Sequence, residues 1–166
     1  MPLSQNCLVG AALFFIAFEC VRACEVFHKP GVYPSSKQSC IASVTVSPMG
    51  GFLQLAISSE LNAEHQVADD ITSFAWIDEH SFIFSTGPIY GTPGIFVGDC
   101  NHPSEAPETL VNAANKTTTY PDGADYFQLH EIVDHMVRYY YSADVDLLDL
   151  AKLRVDMNLR SVAVPP

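Results

Sequence analysis

Basic residues are scarce in this chain. Eight Lys and Arg stand against 19 Asp and Glu, leaving a formal net charge of −11. Nucleic-acid binding needs a cationic face that displaces counterions from phosphate, and this composition excludes one of useful size. The same deficit excludes electrostatic docking on an anionic membrane. Nucleotide-binding motifs are lacking too: there is neither a P-loop nor a dinucleotide fingerprint, so no cofactor is expected. A Gly-x-Ser-x-Gly elbow is also missing, and no residue is assigned a catalytic role. Helical patterning is nearly absent. Residues 147–153 alone have helix-forming composition, and the nearby Asp144, Asp146 and Asp149 interrupt any apolar stripe.

What is present begins with an apolar run at residues 7–18. That length suits the core of a signal peptide and is short for a membrane span. Val21 and Ala23 are placed as the small residues before a cleavage site, although nothing between Met1 and Cys7 is basic. The expected organisation is a signal peptide over 1–23, an irregular Pro- and Gly-bearing tether over 24–39, and a single β-domain over 40–166. The protein is therefore expected to be exported: periplasmic or an outer-membrane lipoprotein in a bacterium, secreted otherwise. Val21-Arg-Ala-Cys24 resembles a lipobox, which makes Cys24 the lipidation candidate and the leader or its lipid the only route to a membrane. With Cys24 lipidated, Cys40 and Cys100 remain as a disulfide candidate in an oxidising compartment. The alternative is that all three are reduced, small core residues.

From Cys40 the apolar residues recur at every second position. Cys40, Ala42, Val44 and Val46 share one face of an extended segment, residues 47–51 form a Gly-bearing turn, and Leu53, Leu55 and Ile57 resume the alternation. Residues 61–70 read as a loop or one short helical turn. Residues 71–77 and 81–87 form the most apolar strand pair, joined by a turn at 78–80. Further strands are expected at 95–100, at 109–113 as an edge, at 127–133, at 137–143 and at 160–164. Tyr139 and Tyr141 should share a face with Val137, with Tyr140 opposite.

The stretch "SVTVSPMGGFLQLAIS" resembles the strand–turn–strand unit of TolB-like and other β-propeller blades, and "ITSFAWIDEHSFIFSTG" is similar to it. "GIFVGDCNHPSEAPETLV" and "DLLDLAKLRVDMNLRSVAV" resemble the third and fourth strands of such a blade. A closed propeller needs about four blades, and residues 40–166 hold material for two or three. The expected fold is thus mainly β: a small antiparallel meander or sandwich of propeller-blade-like hairpins behind an N-terminal hydrophobic signal helix. Propeller domains most often bind proteins or ligands, so the resemblance implies a binding role.

Four groupings could carry chemistry. "HEIVDH" has the look of a zinc signature, but His130 and His135 are five apart. That spacing turns the second imidazole about 140° from the first on a helix and puts them on opposite faces of a strand, so no metal residue is assigned. Asp134-His135 is instead expected as a hairpin turn. The Asp-rich segments around Asp122 and Asp125, and Asp144 to Asp149, lack EF-hand spacing and read as solvated turns. Cys100 and His102 are too close in sequence to be a catalytic pair of the usual kind. Loop tyrosines are the remaining signal. Tyr90, Tyr120 and Tyr126, with Asp122 and Asp125, form the candidate binding set, because Tyr offers a large stiff contact with one polar end. The expected function is a non-enzymatic module that binds a protein or cell-envelope component. A small metal-dependent hydrolase using Asp/His loops and a structural or vestigial propeller fragment are the alternatives.

Overall fold

The computed structural model describes residues 23–48, 50–89, 92–112, 124–145 and 158–164. Residues 1–22 of the signal segment and the helix candidate at 147–153 lie outside them. The described residues are mainly β and contain no helix. Twelve strands follow in order: β1 (Ala23–Cys24), β2 (Val26–Phe27), β3 (Gly31–Pro34), β4 (Cys40–Val46), β5 (Leu53–Ser59), β6 (His65–Trp76), β7 (Ser81–Thr86), β8 (Gly94–Asp99), β9 (Glu108–Asn112), β10 (Ala124–Val133), β11 (Met136–Val145) and β12 (Asn158–Ala163). They make two antiparallel sheets. The larger runs β3-β4-β5-β6-β7-β8-β9 with β2 also paired to β6, and the smaller runs β1-β10-β11-β12.

Alternation builds β4 and β5, although Val46, at the end of its run, is 56% exposed. Cys40, Ala42 and Val44 are buried while Ile41 is exposed, and Leu55 and Ile57 are buried opposite them. The connecting turn closes through Ser47 N–H to the Phe52 carbonyl at 2.9 Å. Gly50 and Gly51 have φ of 102° and 79°, a backbone region that costs glycine little.

The larger sheet is strongly curled. Cys40 opens β4 and Cys100 follows β8, with three strands between them in the sheet order. In a flat sheet four strand spacings would part them by about 19 Å. Their Cα atoms are 6.3 Å apart and the two form a disulfide. The Trp76 indole N–H donates to the Tyr33 carbonyl at 2.9 Å, closing the same end. Inside the curl lies one core: Leu55, Ile57, Phe74, Phe82 and Phe84, with Phe27, Tyr33 and Trp76 packed against it. The intervening residues Ala75, Ile83 and Ile95 point the other way and meet Phe127, Leu129, Ile132, Val137 and Tyr139 of the smaller sheet. Period-two alternation along β6 and β7 therefore serves two cores at once.

Strand β6 begins at His65, so residues 65–70, expected as a loop or helical turn, are extended. They pair with β5 through Ala56↔Gln66 and Ile57↔His65. The strand then bends at Asp70, whose φ is 53°. Beyond the bend Phe74 stands between Phe84 of β7 and Phe27 of β2. Thr72 is the extra residue of a β-bulge, since Ile71 pairs with Thr86 and Ser73 with Ser85. The segment expected as an irregular tether carries three short strands. β1 pairs with β10, β2 with β6 and β3 with β4, so residues 23–34 stitch both sheets together. Phe27 and Tyr33 drive this, their rings stacked 4.0 Å apart over the first core.

The "HEIVDH" segment spans a hairpin, as its alternation requires. Val133 pairs with Met136, leaving Asp134 and His135 as a two-residue turn with φ of 48° and 60°. Both residues at positive φ is the pattern that matches the twist of the flanking strands. Val137 and Tyr139 are buried toward the smaller sheet's core, while Tyr140 lies on the other face against His130, ring centroids 4.9 Å apart.

Candidate functional site

The curled sheet has a closed end and an open one. At the closed end the β6–β7 turn, Asp78-Glu79-His80, is clamped onto the β3–β4 turn. The Glu79 carboxylate accepts from Ser35 Oγ (2.6 Å), Ser36 Oγ (2.7 Å), Lys37 N–H (2.6 Å), Ser39 N–H (3.2 Å) and Ser39 Oγ. Desolvation alone would raise its pKa, but the hydroxyl donors of Ser35, Ser39 and Ser36 and the Lys37 amide outweigh it. They hold the carboxyl well below the usual range. Asp78 behaves alike: burial pushes it up, and the N–H groups of Ser81 and His80 bring it below its ordinary value.

At the open end the halves of β6 diverge at Asp70, and a groove of about 470 Å³ runs between the first half of β6 and strands β7 and β8. Its walls include Gln66, Asp69, Phe84, Thr86, Thr92 and Phe96. Phe84 and Phe96 are stacked, centroids 5.4 Å apart, and form an apolar floor continuous with the first core. The opposite wall is polar. Asp69 Oδ1 accepts from the side-chain amides of Gln54 (2.6 Å) and Gln66 (2.8 Å), which fixes the carboxylate at the rim. Thr86 Oγ1 donates to the Thr92 carbonyl at 3.0 Å and orders the lip. Ligand sites are concave, mostly apolar, and carry a few placed polar groups; this groove has the size and the make-up.

A smaller cleft of about 220 Å³ has Asp78, Glu108 and His135 among its lining residues. Asp78 is already engaged there, accepting from His80 N–H (2.8 Å) and Ser81 N–H (2.7 Å).

The sequence-derived residues fall in different places. Tyr90, Tyr120 and Asp122 lie outside the described residues. Asp125 and Tyr126 are in strand β10 rather than a loop, with Asp125 2% exposed. Burial, followed by the negative charge of Asp70, pushes the Tyr126 hydroxyl up to about 12. Cys24 is half-buried in β1, opposite Ile132, its Sγ 3.7 Å from the Ile77 carbonyl. Burial and then the charge of Asp78 push its thiol up. His102 is exposed beside Glu105 (3.6 Å), and Cys100 is in the bridge, so these two form no dyad.

Sequence reasoning placed the turn at 78–80 but missed the groove residues and the contacts that Glu79 and His80 make from that turn. The inward phase of Phe82 and Phe84 is legible from alternation. That Gln66 and Asp69 oppose them is not, because it depends on the bend at Asp70. No protein-family model, curated protein or solved structure matches this chain.

Proposed function

We propose that this chain is an exported, non-enzymatic binding domain whose ligand lies in the open-end groove. The groove itself carries the reading: an apolar floor of stacked Phe84 and Phe96 faces a pinned Asp69 carboxylate across about 470 Å³. Such a site takes an apolar or aromatic group attached to hydrogen-bond donors. The net charge of −11 disfavours anionic ligands, so the partner is a neutral or basic segment of a protein or envelope component. Export is supported by the apolar run at 7–18 and by the Cys40–Cys100 bridge, which persists in oxidising compartments. The blade-like strand–turn–strand units are in keeping with a binding role. Lipidation at Cys24 would need its sulfur to leave the Ile77 contact. The hydrolase alternative has less support, since the cleft at Asp78 spends that carboxylate on its own turn.

A photo-crosslinking amino acid at Thr92 tests the proposal. Envelope extract should give a discrete adduct that Gln66→Arg abolishes, while the same group at Arg138, on another surface, gives none. No adduct at Thr92, or equal adducts at both positions, overturns it.

A further inference from the structure

The closed end assembles three metal-binding side chains. Cys40 Sγ, Cys100 Sγ and His80 Nδ1 all lie within 4.8 Å of one another. The imidazole nitrogen is 3.9 Å from the first sulfur and 3.8 Å from the second. His80 is delivered there by a turn held at several points. Its carbonyl accepts from Cys100 N–H at 2.9 Å, and the neighbouring Glu79 is fastened to the Ser35–Ser39 loop. The sulfurs are buried, at 1% and 0% exposure, while His80 is exposed and forms the outer wall.

We propose that this trio is a site with two exclusive states: a disulfide when oxidised, and a Cys₂His seat for Zn²⁺ or an ion of like softness when reduced. Reduction by a thiol or phosphine supplies two electrons, and two protons from solvent complete the two thiols. Metal binding releases those two protons as both sulfurs become thiolates. Zn–S distances of about 2.3 Å and Zn–N distances of about 2.0–2.1 Å place S and N about 3.5 Å apart in a tetrahedron. The N–S separations of 3.9 and 3.8 Å must therefore shorten by about 0.3–0.4 Å as the sulfurs part. The larger movement is in the sulfurs, which must part to about 3.8 Å once their bond is gone. Two thiolates and one imidazole select a soft or borderline ion over Ca²⁺ or Mg²⁺. The exposed side of His80 leaves the fourth position to water or an added ligand. The seat shares no residue with the groove and does not depend on the binding proposal.

The test uses the full chain with Cys7, Cys20 and Cys24 replaced by Ser, so that Cys40 and Cys100 are its only thiols. Reduced with a phosphine and freed of it without air, the protein is titrated with Co²⁺ and then Zn²⁺. One equivalent of cobalt should raise sulfur-to-metal charge-transfer and tetrahedral d–d bands, and zinc should displace it. The oxidised protein should show neither. Altering groups that merely support a metal's ligands costs about 10–100-fold in affinity, so His80→Ala should cost at least that much. Circular dichroism follows the fold throughout. Absent bands in a folded reduced protein, equal binding by His80→Ala or by the oxidised form, or a reduced chain that unfolds and is not refolded by cobalt would each overturn the proposal.

Discussion

The backbone N–H of Leu129 donates to Ser73 Oγ at 2.8 Å, which hangs a strand of the smaller sheet on a hydroxyl of the larger. Thr72 Oγ1 donates to the Phe127 carbonyl at 2.5 Å, and both hydroxyls meet Ser85 Oγ. The bulge at Thr72 is what lets two successive side chains reach the same neighbour. Ser73 is 1% exposed, so Ser73→Ala leaves the Leu129 N–H buried with its acceptor gone. An unsatisfied buried donor costs about 1–3 kcal/mol. Urea unfolding should show that loss with an unchanged m-value. Adding Ser85→Ala should cost less than the sum of the two single changes, because the hydroxyls share one network.

The Cys40–Cys100 bridge closes a loop of sequence separation 60. In the chain-entropy description a loop of that length contributes about 4 kcal/mol by restricting the unfolded chain. Replacing both cysteines by Ala should remove a stabilisation of that order in chemical denaturation. Loss of less than about 1 kcal/mol would mean that loop closure is not the way the bridge stabilises this fold.

Much of the β architecture could be read ahead of the structure where local alternation decides it. Cys40 to Val44, Leu55 and Ile57, and the paired runs around Phe74 and Phe82 each declare a buried face. The Asp134-His135 turn follows from the alternation on either side of it. The Cys40–Cys100 pairing was reachable by cysteine arithmetic. What escaped depends on contacts distant in sequence. Residues 66–69 line the groove, and the polar run around them, read locally, means loop. Residues 23–34 look like a tether because Pro30, Gly31 and Pro34 punctuate them, yet Phe27 and Tyr33 stack onto the core. Glu79 meets its serines across about forty residues, and no local pattern encodes that meeting.

Tyr126 offers a spectroscopic check on the bend in β6. Its hydroxyl is pushed up to about 12 by burial and then by the charge of Asp70. Ultraviolet titration should find one tyrosine ionising well above its ordinary value of 10.0. The Tyr126→Phe variant should lack that step. Asp70→Asn should lower it, because one of its two causes is gone while burial remains. A Tyr126 that titrates at the ordinary value of 10.0 would place its ring in solvent.

The Glu79 clamp gives the fold a defined response to acid. Its carboxylate form accepts from three serines and two backbone N–H groups, and protonation removes acceptor capacity from that set. Its pKa in the folded state is lowered from 4.5, so the folded state binds its proton less readily than the unfolded chain does. The stabilisation is therefore complete above that ordinary value and is lost progressively as pH falls below it. Denaturant midpoints of the wild type should drop on going from neutral pH to the acid side of 4.5. Glu79→Gln should already be less stable at neutral pH, because an amide cannot accept at both of its terminal atoms. The gap between variant and wild type should narrow in acid, since protonation weakens the same clamp in the wild type. A gap that stays constant or widens as the pH falls would show that Glu79 does not hold the two turns together through its charge.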